Sequence, residues 1–108
     1  MSLGEAIELE RAKRREQLRQ ETLVALRAAL RALLPSQRVI VFGSLVHPGR
    51  FHAKSDVDIA LFDSPSELSE YRLQAELEER LRRPVDIVLL KESRLHDKIL
   101  REGLEWIS

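Results

Sequence analysis

Apolar positions along the chain alternate between a helical and a strand-like period. Residues 1–34 contain no proline and, after Gly4, no glycine. They are rich in Ala, Leu, Glu, Arg and Gln, all strong helix formers. Leu23, Leu26, Leu30 and Leu33 recur at steps of 3, 4 and 3, one stripe of a helix that predicts packing on a core. Upstream, from Glu8 to Arg19, charges are dense and apolar residues sparse. Residues 1–20 therefore read as a charged helical extension, either a solvated arm or a helix on which a partner docks.

Pro35-Ser36 ends this helix. Val39-Ile40-Val41-Phe42 follows, an unbroken apolar run with β-branched residues that reads as a buried strand. Gly43-Ser44 closes it, and residues 45–55 read as a short helical turn and a loop. A second strand is predicted over residues 56–62, with Val57, Ile59 and Leu61 on its core face. Ser64-Pro65-Ser66-Glu67 reads as a helix start, Ser64 as N-cap and Glu67 as capping-box partner. Leu73, Leu77 and Leu81 continue that helix to about Arg82, and Pro84 stops it. Residues 85–90 form a third strand. Ser93 caps a last helix over residues 94–102, ending at Gly103, and residues 104–107 form a short closing strand. The resulting fold class is α/β (α+β), built as one domain over residues 1–108.

Composition narrows the chemistry. With no cysteine there is no disulfide, thiolate zinc site or cysteine nucleophile. His47, His52 and His96 lack tight metal-ligand spacing. No apolar run approaches the ~18 residues of a membrane span, and the first twenty residues are too charged for a secretory signal. The expectation is an intracellular chain without a membrane. Eighteen basic residues balance eighteen acidic ones, which argues against stable nucleic-acid binding.

Within that neutral whole, three carboxylates interrupt apolar strands. Asp56 and Asp58 stand at i and i+2, so both point to the face opposite Val57 and Ile59. Like charges side by side disfavour a strand, and a cation relieves the conflict. Asp86 repeats the pattern between Val85 and Ile87. If the second and third strands are neighbours, the three acids converge on an oxygen-only site suited to Mg²⁺ or Mn²⁺. Two such ions about 3.5–4 Å apart are the usual arrangement for phosphoryl displacement. Gly43-Ser44 offers the complement: close backbone approach, a hydroxyl and an amide for a phosphate. Arg50 and Lys54, in the adjoining loop, are weaker phosphate candidates. His47 and His52 read as solvated loop residues, Phe51 as a loop anchor, Tyr71 as half-buried packing, and Trp106 as a packing or interface residue.

Gly43-Ser44, eleven residues between Ser44 and Asp56, the run Ser55-Asp56-Val57-Asp58-Ile59 and then Val85-Asp86-Ile87 resemble the nucleotidyltransferase superfamily that includes DNA polymerase β. More closely they resemble the minimal nucleotidyltransferases (MNT) of prokaryotes. The resemblance covers residues 22–107 and leaves the first twenty or so outside. The loop after Ser44 departs from it: Leu45-Val46-His47 replaces the frequent Ala-Arg-Gly, and the spacing is one residue longer than usual.

The resemblance implies a small mixed sheet with helices packed on one face. It implies that Asp56 and Asp58 bind two metal ions, that Asp86 binds the catalytic one and helps deprotonate the acceptor, and that Gly43 and Ser44 hold the β,γ-phosphates. It implies Mg²⁺ and ATP, a prokaryotic cytoplasmic setting, and a HEPN-domain toxin as partner, with the chain as its antitoxin. The expected reaction is transfer of a nucleoside monophosphate, AMP from ATP, to a hydroxyl of that partner. A non-catalytic antitoxin that masks its partner and a small-molecule, aminoglycoside-like nucleotidyltransferase are the alternatives. A homodimer and a hetero-oligomer are both open. The chain is short enough that the acceptor is expected on another polypeptide.

Overall fold

The computed structural model describes residues 1–108. Its first element, α1 (Leu3–Leu33), is a single helix of 31 residues. Ser2 caps it: the Ser2 hydroxyl accepts from Glu5 N–H, and the Glu5 carboxylate accepts in return from Ser2 N–H. The predicted stripe faces inward, with Leu26, Ala29 and Leu30 buried and Leu23 and Leu33 at its margins. Such a helix is about 46 Å long, and the molecule measures 53 × 29 × 19 Å. Its first three turns extend past the core, and Met1, Leu3, Ile7 and Leu9 stay exposed.

Four strands follow: β1 (Arg38–Phe42), β2 (Val57–Leu61), β3 (Val85–Leu89) and β4 (Leu104–Ile107). They form one mixed sheet in the order β3-β2-β1-β4. β1 runs antiparallel to both β2 and β4, whereas β2 and β3 are parallel. A parallel pair needs a crossover, and α2 (Glu70–Leu81) supplies it. Odd-numbered residues of β1, β2 and β3 pack under α1 and α2 around Leu26, Leu30, Leu73 and Leu77. Trp106 closes this core from β4, with the Arg27 guanidinium 5.2 Å from its ring centre.

Four expectations change. α2 starts at Glu70, not at Pro65: Ser69, rather than Ser64, is the cap, its hydroxyl accepting from Arg72 N–H at 3.0 Å. Ser64 has the capping-box sequence, but residues 62–69 are needed to carry the chain from β2 to the face that α2 covers. The last helix, α3 (His96–Glu102), begins two residues late, because the Ser93 hydroxyl accepts from Leu95 N–H in a local turn. Helices are also not confined to one face. α1 and α2 share a face, but Ile99 of α3 packs with Ile40, Ala60 and Leu90 on the other. Gly103, at the end of α3, has no room for a Cβ against the Ile40 side chain. Tyr71, expected to be half-buried, is exposed on α2, whereas Phe51 is the buried loop anchor it was expected to be.

Candidate active site

The face that carries α3 also carries the acids. Register places Phe42, Asp58 and Asp86 in one row across β1, β2 and β3. Neighbouring strands lie about 4.8 Å apart, so the Asp58 and Asp86 carboxylates are side by side. Asp58 is half-buried and Asp86 exposed. Neither forms an ion pair with a Lys or Arg. Burial pushes the Asp58 carboxyl above its ordinary value, and the charges of Asp86 and then Asp56 add to the shift.

Asp56 stands apart from this row. It lies just before β2 rather than on it, exposed to solvent. The register that pairs Val57 with Val85 would set Asp56 against Pro84, which has no N–H to extend the ladder. Its charge reaches Asp58, but no three Asp, Glu or His side chains converge closely enough to hold a metal ion as they stand. Asp58 and Asp86 form an oxygen-only, uncompensated anionic pair, and that chemistry fits a divalent cation. Asp56 stands outside that pair.

The loop before Asp56 is tied down by Arg83. Its guanidinium donates to the carbonyls of Ser55 at 2.8 Å and His52 at 3.3 Å, and sits 4.6 Å from the Phe51 ring centre. Burial lowers the Arg83 pKa. The Ser55 hydroxyl accepts from His52 N–H, and His52 Nδ1 accepts from Lys54 N–H. One arginine thus joins the loop that delivers Asp56 to the strand that delivers Asp86.

Gly43 opens a single 3-10 turn, Gly43–Val46, directly after β1. Its φ is +76°, and a Cβ there would collide with Asp58 Oδ2. Glycine is required twice over, by backbone conformation and by the acid pressed against it. The turn has only four residues, so it offers a phosphate a few backbone amides and no helix dipole.

A cavity of about 520 Å³ opens between this turn, the acid row and α3, within the range of small-ligand sites. Gly43, Ser44, Asp58, Asp86 and Arg50 line it, and Asp56 and Lys54 do not. His47, expected in solvent, is half-buried on its wall. Lys98 and Glu102 also line it from one side of α3 and were missed in the sequence. Ala60 held the signal: a small residue between Ile40 and Val88 lets a helix approach the acid face.

The family model for "Polymerase beta, Nucleotidyltransferase" matches residues 14–107. The chain belongs to this family. The match begins within the charged part of α1, ahead of residue 22. Among curated proteins none matches the chain. Among solved structures, one described as a toxin-antitoxin with AMP-PNP has 26% identity and a TM-score of 0.60, over 82% of this chain and 73% of that one. A mutant of the toxin-antitoxin MntA-HpeT has 26% identity and a TM-score of 0.58, over 75% and 69%. The toxin-antitoxin MntA-HepT, at 24% identity and a TM-score of 0.54 over 85% and 73%, shares the fold. The chain is thus a nucleotidyltransferase domain resembling toxin-antitoxin components. No helix is long and apolar enough to cross a membrane.

Proposed function

We propose that the chain is the antitoxin of a HEPN-type toxin and acts by transferring AMP from ATP to a hydroxyl of that partner. The observation that carries this reading is the press of Gly43 against Asp58, in register with Asp86 at the mouth of the cavity. Phosphate-receiving backbone and metal-binding carboxylates then meet at one point. Similarity to a toxin-antitoxin crystallised with AMP-PNP supports the nucleotide and the partner class.

In this reading the amides of Gly43 and Ser44 receive the β- and γ-phosphates. Asp56, Asp58 and Asp86 would hold Mg²⁺, or Mn²⁺, in two positions. Bound there, such ions neutralise the triphosphate and the departing pyrophosphate. Asp86, the more exposed acid of the row, takes the acceptor's proton. The acceptor oxygen bonds to the α-phosphorus, the bond from that phosphorus to the bridging oxygen breaks, and pyrophosphate leaves. Arg50 and Lys98, both lining the cavity, bring positive charge toward the phosphates. The test is incubation with α-labelled ATP, Mg²⁺ and a HEPN-domain partner protein. Labelling of the partner is expected, and labelling that survives Asp58→Asn would sink the mechanism.

A second reading is favoured by the position of Asp56, exposed and off the cavity wall. In it the domain masks its toxin without catalysis. That reading predicts that a chain with Asp56, Asp58 and Asp86 all changed to Asn still rescues growth against the toxin.

A further inference from the structure

The 3-10 turn after β1 is poorly equipped to hold itself. It has four residues, it opens on a glycine with φ +76°, and its last carbonyls have no following helical turn to accept from. His47 N–H donates to Ser44 O at 3.1 Å and closes the turn locally. The Leu45 side chain is fully buried beneath it.

A second clamp comes from far along the chain. Arg19 extends the core-facing stripe of α1 by one turn beyond Thr22, and its side chain is only 11% exposed. Its Nη1 donates to Leu45 O at 3.1 Å. Its Nε and Nη2 fork onto the Glu16 carboxylate at 2.9 and 2.8 Å. Gln20 Nε2 donates to the same carboxylate at 2.9 Å. The guanidinium is therefore fixed in plane by Glu16 and spends its remaining arm on the turn.

We propose that Arg19, oriented by Glu16, is a positioning residue for the Gly43-Ser44 turn and thereby sets nucleotide affinity from the N-terminal helix. The proposal rests on the nucleotidyltransferase reading of that turn. A phosphate bound by backbone amides costs less ordering entropy when the carbonyl one residue past Ser44 is already anchored. The charged part of α1 then serves the site itself, whatever else docks on its exposed faces.

The test compares the wild-type chain with Arg19→Met, which keeps the aliphatic stem, Arg19→Lys, and Glu16→Gln. Hydrogen exchange is followed at the amides of residues 43–47, and MgATP affinity is measured by titration. Arg19→Met is expected to raise exchange at 43–47 while the β2 amides stay protected, and to weaken MgATP about tenfold, as for loss of a charged hydrogen bond. KM for ATP should rise more than kcat falls. Arg19→Lys should recover part of the affinity, and Glu16→Gln should shift both readouts the same way by less. Unchanged exchange and affinity in Arg19→Met would overturn the proposal. Should Arg19→Met fail to fold, unchanged exchange at 43–47 in Glu16→Gln, altered only at a half-exposed carboxylate, overturns it instead. A wild-type chain that does not bind MgATP contradicts the nucleotidyltransferase reading, and the exchange data still decide whether Arg19 holds the turn.

Discussion

Gly43→Ala perturbs the site at the point where its two halves meet. The new methyl faces two penalties. The first is backbone strain: at φ +76° an L-residue costs about 1–2 kcal/mol. The second is collision with Asp58, whose carboxylate oxygen occupies the place of the methyl and whose Cγ is 3.1 Å from it. Relieving that overlap costs roughly a further 1–3 kcal/mol by overpacking. Gly49 separates the two terms. Its φ is +88°, but nothing lies within 4 Å of an added Cβ, so Gly49→Ala carries only the strain. At about 4–8 °C per kcal/mol for a domain of this size, Gly43→Ala should lower Tm well beyond Gly49→Ala. Its label transfer should fall by about a hundredfold, as for a misplacement of ~1 Å at a reacting centre. In an Asp58→Ala background the carboxylate is gone and the remaining Cβ stands 3.4 Å away, an ordinary contact. There the Tm costs of Gly43→Ala and Gly49→Ala should become equal. Thermal unfolding of the four variants decides the matter: equal costs for the two glycines in the wild-type background would refute the close approach of turn and acid.

Other outcomes follow from the same geometry. Because burial raises the Asp58 carboxyl, its ionisation weakens the metal-free fold, so stability declines as pH rises from the ordinary carboxylate range through the raised value. Asp58→Asn should abolish that decline, raise Tm at neutral pH in EDTA and remove any gain from added Mg²⁺; a lower Tm in EDTA would contradict it. Glu16 behaves oppositely, its carboxyl held down at about 2 by Arg19 and Gln20. Its contribution is present above the ordinary value and lost as pH falls toward 2, so Glu16→Gln should flatten the acid limb of a Tm-against-pH curve. Leu26→Ala or Leu30→Ala, each in the buried stripe, should cost about 2–5 kcal/mol in urea unfolding. Ile7→Ala on the projecting part of α1 should stay within about 0.5 kcal/mol.

Where one interaction dominates locally, the sequence was enough. The leucine stripe of α1, the β-branched run of β1 and the interruption of apolar strands by Asp58 and Asp86 are all visible as period. What lay beyond period was relative placement. Ser64, with Pro65 and Glu67 behind it, carries the fuller capping signal, yet the helix starts after Ser69, because the span needed to cross from β2 to the helical face decides. Asp56 and Asp58 look equivalent as i and i+2, yet the strand register and Pro84 leave one outside the sheet. Ala60 gave the one local hint that a helix covers the acid face, and without the fold it did not say which helix. Arg19 was hidden within a run of charges, because its partner, a backbone carbonyl, has no sequence signature. His47 reached the cavity wall through the turn of a loop that no spacing rule encodes.

Transfer of a nucleotide from the cavity at Asp58 and Asp86 to the partner chain is tested most directly by the intact mass of the toxin co-expressed with the wild-type chain and with Asp58→Asn. Transfer predicts a gain of one or more whole adenylyl groups with the wild type, placed on hydroxyl side chains by fragmentation, and none with the variant. An unmodified toxin that is nevertheless neutralised by both chains would contradict it.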